Sequence, residues 1–282
     1  VQMTLGTHEK TDIDWADIII RNPAVPTNHE LLFYARTTGK SVLMRSSLFA
    51  QLSQATIIGI TGTRGKTTTT MMIYGMLQEL IPDKNILLAG NIVHQSDLEL
   101  LYDFHSPVNT IVVMELSSWQ LQGFKEAGIS PHIAIITNLY PDHLNSYRTL
   151  GEYYLDKQAI VQHQSAHDYA ILNDQQPEFH QWAETIPSQV LWFSSNSIPR
   201  NLHLTMVGAH NLQNALAAFQ VAHALKLDQH QVIAYLNSFQ SVPYRQQLIA
   251  VKRNVKYIND TTSTTPVAGI MALSTFPNAI VI

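Results

Sequence analysis

The sequence predicts an α/β fold built on a doubly wound parallel sheet. Two observations lead there. Short, uninterrupted apolar runs alternate with helix-length segments along most of the 282 residues, the pattern of strands covered on both faces and joined by crossover helices. One of these runs, Ala55-Thr56-Ile57-Ile58, leads into a glycine-rich turn, Gly59-Ile60-Thr61-Gly62-Thr63-Arg64-Gly65-Lys66-Thr67, which opens a helix-like segment. Strand, glycine turn, Lys-Thr and helix in that order are the arrangement of a phosphate-binding loop.

In chain order, strands are expected at residues 17–20, 56–60, 85–89, 110–115, 133–137, 169–172, 190–193, 255–258 and 279–282. Helices are expected at 67–80, 152–164, 211–225, 229–239 and 265–273. Right-handed crossovers follow from the alternation, and ligands of such sheets gather at the carboxyl ends of the strands. The polar motifs fall just after strands, where this rule puts them.

The loop motif carries definite chemistry. Its glycines let backbone N–H groups face a polyphosphate at a helix N-terminus, where the dipole favours negative charge. Lys66 would reach the terminal phosphates and the Thr67 hydroxyl would ligate Mg²⁺. The strict pattern has glycine at position 60, where this chain has Ile60 between Gly59 and Gly62. Glu115 ends the apolar run Ile111-Val112-Val113-Met114. A carboxylate there is either a solvated strand end or a partner of Thr67 in holding Mg²⁺. Asp142 and His143 lie in a loop after the next strand, and a loop histidine can ligate metal through a neutral ring nitrogen. With 13 histidines in the chain, one alone argues little; His163, His167 and His230 sit in polar contexts and read as solvent-facing. Lys157, on a helix, reads by spacing alone as a surface charge. Asn211 and Asn214 share one face at the start of a small-residue helix, where capping is the plain role.

Composition excludes several classes. A net charge of −4 without a Lys/Arg cluster argues against a nucleic-acid binder. No run is long and apolar enough to span a membrane. The absence of cysteine rules out disulfides and thiolate zinc sites and fits a cytoplasmic protein. The 45% hydrophobic content supports a real core, with room for two or three domains. The chain opens on Val1 and stops in the apolar run Asn278-Ala279-Ile280-Val281-Ile282, so truncation at both ends is expected.

Taken together, the motifs resemble the Mur ligase family, the ATP-dependent amide ligases of peptidoglycan precursor synthesis. The resemblance rests on Thr61-Gly62-Thr63-Arg64-Gly65-Lys66-Thr67-Thr68, Gly90-Asn91-Ile92, Glu115-Leu116-Ser117-Ser118-Trp119-Gln120-Leu121, Asn138 with Asp142-His143-Leu144, Tyr153 with Lys157, His210-Asn211 with Asn214, and Asn259-Asp260. The Glu-Leu-Ser-Ser-aromatic-Gln-Leu form looks most like the branch that adds glutamate to UDP-N-acetylmuramoyl-L-alanine. The resemblance implies a phosphate-loop central ATPase domain at 47–241. It also implies a partial Rossmann-like domain for the UDP-sugar at 1–46 and the start of an amino-acid-binding domain at 242–282.

The family mechanism then assigns roles. ATP would phosphorylate the alanyl carboxylate, and the glutamate amine would attack the acyl phosphate to form an amide. Gly62, Thr63, Gly65, Lys66, Thr67, Thr68, Asn211, Asn214, Arg245 and Asp260 would bind nucleotide. Asn91 and Ser117 would contact the muramoyl substrate. Thr67 and Glu115 would hold one Mg²⁺, and His143 a second with Lys157, which matches the family lysine carbamylated by CO₂. Lys66, His143 and Lys157 form the catalytic set. A monomer is expected.

Two departures stand out. Arg64 replaces the usual asparagine and either contacts phosphate or faces solvent. Thr261-Thr262 replaces Ser-Lys after the aspartate, which leaves the amino acid open: D-glutamate is favoured, with an L-glutamate-adding branch as the alternative. A folylpolyglutamate-type ligase and a non-catalytic nucleotide-binding paralogue are the readings further away.

Overall fold

The computed structural model describes residues 3–92, 96–103, 106–263, 266–276 and 278–280. Its elements run α1 Lys10–Trp15, β1 Ile18–Arg21, α2 Glu30–Thr37, β2 Ser41–Met44, α3 Arg45–Ser53, β3 Thr56–Thr61, α4 Lys66–Leu80, β4 Asn85–Gly90, β5 Thr110–Glu115, α5 Ser118–Ala127, β6 Ile133–Ile136, α6 Leu150–Gln162, β7 Tyr169–Asn173, α7 Pro177–Ala183, β8 Gln189–Phe193, α8 Ala209–Ala224, α9 Gln229–Ser238, β9 Gln247–Lys252, β10 Val255–Asn259 and α10 Pro266–Thr275.

Six strands form one sheet in the order β4-β5-β3-β6-β7-β8, parallel throughout. The period-2 alternation of side chains splits each strand between two cores. On one face Ile58, Ile60, Ile111, Val113 and Ile135 pack against Met72, Ile73, Met76 and Leu77 of α4 and against α8 and α9. On the other, Ile57, Val112, Met114, Ala134 and Ile136 meet Phe49 of α3, Leu121 and Phe124 of α5, Ile160 of α6 and Phe179 of α7. Burial on both faces explains why these strands read as continuous apolar runs. The chain leaves β3 toward β4 on one side, and β6 pairs with β3 on the other. The switch in winding therefore falls beside β3, where doubly wound sheets place their ligands.

β1 and β2 form a separate parallel pair, and β9 and β10 a separate antiparallel hairpin. Most expected elements appear within one to three residues of their positions. One does not: Ala279 and Ile280 are not in a strand, and Val281 and Ile282 lie outside the described residues. An apolar run becomes a strand only where a neighbour supplies its ladder, and among the described residues β9 and β10 pair with each other alone. Thr265, the first residue of the last expected helix, also lies outside the described residues.

The N-terminal elements dock on α5. Arg36 bonds Glu126 at 2.9 Å, the buried Arg21 donates to Gln122 Oε1 at 3.1 Å, and Gln122 Nε2 donates to Asp156 Oδ2 at 2.7 Å. Gly123 leaves no room at this joint: a Cβ there would lie 2.7 Å from Met44 Cβ. Gly123→Ala gains about 1 kcal/mol of helix propensity but forces Met44, fully buried, out of place, and overpacking of this kind costs about 1–3 kcal/mol. A lower urea midpoint is expected; an unchanged one would show that the joint yields freely.

Candidate functional site

The loop between β3 and α4 is held open by its neighbours. Gly62 has φ 143°, Gly65 φ 82°, and both are in territory that favours glycine. There is also no room for a side chain: a Cβ on Gly62 would run into the Thr137 hydroxyl, and one on Gly65 into the Asn214 carboxamide. The residues after β6 pin the loop from the side. Thr63 N–H donates to the Asn138 carbonyl at 3.0 Å, Arg64 N–H to Asn138 Oδ1 at 2.9 Å, and the Arg64 carbonyl accepts from Thr137 Oγ1 at 2.6 Å and Asn138 Nδ2 at 3.1 Å.

Two lysines converge on one carbonyl of this loop. Lys66 Nζ donates to Gly62 O and Thr63 O, both at 3.1 Å, and Lys157 Nζ donates to Gly62 O at 2.8 Å. Lys157 is no surface charge. Its α6 position is 2% exposed, with the ammonium 4.6 Å from the centre of the Tyr153 ring. Burial, and then the Lys66 ammonium, hold its pKa well below the ordinary lysine value. Burial likewise lowers Lys66, against the pull of Glu115.

Glu115 ends β5 opposite Ile60 and Gly90 and is 2% exposed, so the solvated reading of it fails. Its Oε1 accepts from Asn91 Nδ2 at 3.3 Å, while Oε2 is buried without a partner. Asn91 is placed by the Gly90 turn, whose N–H donates to the buried Asp97 at 2.9 Å. His143 takes a left-handed backbone conformation, φ 55°, with its N–H on Asp142 Oδ1 at 2.9 Å. Its ring lies 4.7 Å from that of Trp119 and 5.9 Å from that of Tyr153. Burial lowers its pKa, outweighing Asp142, which favours the neutral imidazole that binds metals. Tyr153 thus touches both His143 and Lys157 and bonds the Thr63 hydroxyl at 3.2 Å.

Among the described residues no group of three or more His, Cys, Asp or Glu could hold a metal by itself. The donor set fits Mg²⁺ nonetheless, because Mg²⁺ takes one or two carboxylates and completes its shell with phosphate and water. The orphaned buried oxygen of Glu115 is the observation that favours a cation there; Thr67 follows Lys66 in the first turn of α4, while the Thr61 and Thr63 hydroxyls are already bonded to the Leu116 carbonyl and to Tyr140 and Tyr153.

Beside the loop is a cavity of about 330 Å³. Arg64, Gly65, Thr68, Asn211, Asn214, Arg245 and Asp260 line it. Asn214 abuts Gly65, whereas Asn211 donates to the Val207 carbonyl at 2.7 Å and so ties down the start of α8. Asp260 accepts from Gln246 N–H at 3.1 Å and Ser263 Oγ at 2.7 Å. Ser117 is the N-cap of α5: it accepts from Gln120 N–H at 3.2 Å and meets the Gln120 side chain in a capping box. The expected residues therefore gather around one loop, with Ser117 held by its own helix. Sequence reasoning missed the clamp by Thr137, the Gly90–Asp97 bond and the Trp119–His143 contact. It also left Arg64 between two readings, and the structure pairs that side chain with Asp142 at 3.7 Å.

Residues 60–200 match the family profile described as Mur ligase middle domain. The chain belongs to the Mur ligase family. Relatives named UDP-N-acetylmuramoylalanine–D-glutamate ligase include those of Roseiflexus sp. (strain RS-1), 36% identical over the whole chain and 66% of the relative. The relative from Listeria innocua is 31% identical over the whole chain and 65% of its own length; that from Streptococcus uberis is 33% identical over 99% of this chain and 64% of its own. The chain thus spans just under two thirds of the length of these Mur ligases. Solved structures share the fold. MurF from Acinetobacter baumannii superposes with a TM-score of 0.67 at 20% identity, covering 93% of this chain and 68% of that one. The MurF ligase from Thermotoga maritima in complex with ADP gives 0.65 at 18%, covering 92% and 70%. No helix among the described residues is long and apolar enough to cross a membrane.

Proposed function

We propose that this chain is the substrate-activating part of an ATP-dependent ligase that joins D-glutamate to UDP-N-acetylmuramoyl-L-alanine in peptidoglycan precursor synthesis. The observation that carries the reading is the convergence of Lys66, Lys157 and Glu115 on a phosphate loop in a chain 36% identical to a D-glutamate ligase. Residues 1–46, 47–241 and 242–282 are proposed as UDP-sugar, ATPase and amino-acid domains, a division supported by the three separate sheets.

In this reading Gly62, Thr63, Gly65, Thr67 and Thr68 cradle the phosphates and Lys66 neutralises the γ-phosphoryl group. Asn211, Asn214, Arg245 and Asp260 surround the base and ribose in the cavity, and Asn91 and Ser117 meet the muramoyl substrate. The alanyl carboxylate attacks the γ-phosphorus and ADP leaves. The glutamate amine attacks the resulting acyl phosphate, phosphate leaves, and the amide forms. Phosphoryl transfer of this kind depends on position and charge neutralisation. Thr67 with Glu115, and His143 with a carbamylated Lys157, would hold two Mg²⁺ ions, which neutralise phosphate charge when bound. An ammonium cannot ligate a cation, so the second site requires the carbamate.

Mass spectrometry of the product from ATP, Mg²⁺ and UDP-N-acetylmuramoyl-L-alanine, with D- or L-glutamate in parallel, tests the proposal. It should be run on this chain and on one extended to the length of its relatives. Product with D-glutamate from the extended chain is expected. Product with L-glutamate alone would reassign the amino acid. ADP release stimulated only by a folate would overturn the cell-wall reading, and nucleotide binding without any product would favour a non-catalytic paralogue. In the same assay His143→Ala should raise the Mg²⁺ concentration for half-maximal rate by about tenfold or more, the scale of losing support at a metal site. An unchanged Mg²⁺ titration would remove His143 from the metal shell.

A further inference from the structure

We propose that Asp97 is a positioning residue of the ligase reaction: through the Gly90 N–H it sets Asn91, and so fixes where the muramoyl substrate lies against Glu115. The inference rests on the proposed function, which gives Asn91 its substrate contact, and extends the site to a residue that touches no substrate.

The geometry at the end of β4 leads to it. β4 is the outermost strand of its sheet. Just past its end the Asn91 N–H turns inward to the Glu115 carbonyl at 2.9 Å. The preceding N–H, of Gly90, faces the open side that an edge strand leaves without a ladder partner, and there Asp97 Oδ1 accepts from it at 2.9 Å. The strand end is thus gripped from both sides. Gly90 lies at φ 87°, and a Cβ on it would run into the Glu115 carbonyl. The turn needs glycine, the residue with the most freedom to swing once a grip is lost. From this turn the Asn91 side chain reaches Glu115 Oε1 at 3.3 Å, so the substrate-facing carboxamide and the carboxylate proposed for Mg²⁺ take their places together.

Asp97 is a costly way to fill this space. It is fully buried, its Oδ2 has no hydrogen-bond partner, and the nearest cationic atom is Arg45 Nε, 3.9 Å away on a half-exposed side chain. Burial pushes its pKa up, against the Gly90 N–H and Arg45. An apolar side chain would carry no such penalty, but it could not hold the Gly90 N–H. The carboxylate is itself well anchored. It opens a short 3-10 helix, Asp97–Asp103, whose Leu100 is packed in the core with Phe49 and Ala89, and a group that orients another must be held by packing of its own.

Steady-state kinetics on the chain extended to the length of its relatives, with a double-mutant cycle between Asp97 and Asn91, test the proposal. Asp97→Ala should raise the KM for UDP-N-acetylmuramoyl-L-alanine by about 10- to 100-fold, the scale of losing a group that orients a ligand. The KM for ATP should stay close to wild type, because the phosphate loop follows β3 and β5 lies between it and β4. Asp97→Asn keeps an oxygen for the Gly90 N–H and should restore most of the loss. If Asp97 acts through Asn91, the double variant should be no worse than Asn91→Ala alone. Where Asp97→Ala does not fold, Asp97→Glu, which keeps a carboxylate but moves it by one methylene, carries the same cycle with the same expectation. A KM for the sugar substrate that Asp97→Ala leaves unchanged, equal losses toward both substrates, or losses that multiply in the double variant would overturn the role and leave the ligase reading standing. Wild-type kinetics in Asn91→Ala would overturn it as well, by removing the residue through which Asp97 acts. An extended wild-type chain that forms no product would overturn the ligase reading and this inference together.

Discussion

Lys66→Ala is expected to lower acceptor-dependent ADP release by about 100- to 1,000-fold, the usual loss when one donor aimed at developing charge is removed. The reason lies in what the ammonium does at rest. It spans the loop's own carbonyls, Gly62 O and Thr63 O, at 3.1 Å each. Those are weak partners for a charge that burial disfavours. An arriving γ-phosphate offers a stronger acceptor within the same loop, and the interaction grows as charge shifts toward the leaving oxygen. The variant should fold, because alanine is a good helix former at the start of α4 and takes a destabilised cation out of the site. Rate should therefore fall far more than nucleotide affinity. A variant that turns over at near wild-type rate would refute the loop assignment, and one that loses ATP affinity in proportion to rate would show that Lys66 serves binding alone.

How much of this was legible in the sequence varies with the source of order. Strands β3 to β8 were readable because burial on both faces writes continuous apolar runs, and β5 matches its expected span of 110–115. Helix α5 was missed. Its sequence, SWQLQGFKEA, carries a glycine and two glutamines where periodicity is sought, although the Ser117–Gln120 capping box announces its start. The glycine is needed for the contact with Met44, so tertiary packing overrode the local pattern. Strand β9 was missed for a different reason. Leu248, Ile249 and Val251 are all at least half exposed, so its pattern records no alternation between core and solvent. The turn residues Arg253 and Asn254, with φ 51° and 62°, were the available hairpin signal. In the site, the residues of the loop could be read from spacing alone. Lys157 could not, because burial of a helical lysine depends on which helix packs over which loop. The link from Thr137 to Arg64 spans the sheet switch and leaves no trace in either local segment.

Lys157→Ala should be inactive and partly restored by acetate. The lysine stands where an ammonium has little reason to be: 2% exposed, sharing the Gly62 carbonyl with Lys66, and beside groups proposed to hold Mg²⁺. As an ammonium it repels both Lys66 and the metal. Burial and Lys66 favour its neutral form, and a neutral amine is the form that adds to CO₂: its lone pair bonds to carbon, one N–H proton leaves to solvent, and a carbamate anion results. That one change turns repulsion of Lys66 into attraction and supplies an oxygen ligand where the described residues hold no third carboxylate or histidine for a metal. Acetate entering the space left by alanine restores the carboxylate without the tether, so rescue should be partial and should saturate. Depleting CO₂ should slow the wild type and leave the rescued variant unaffected. A direct readout is independent of turnover: ¹³CO₂ added to the wild-type chain should give a carbamate carbon resonance that Lys157→Ala lacks. Stability separates the carbamate from a merely structural lysine. Removing a buried cation that only braces the Gly62 carbonyl would lower the unfolding midpoint, whereas removing one whose charge is a burden until it is carbamylated should leave the midpoint level or raise it in CO₂-free buffer. Full activity of Lys157→Ala without acetate, or a wild-type spectrum with no carbamate signal, would sink this role.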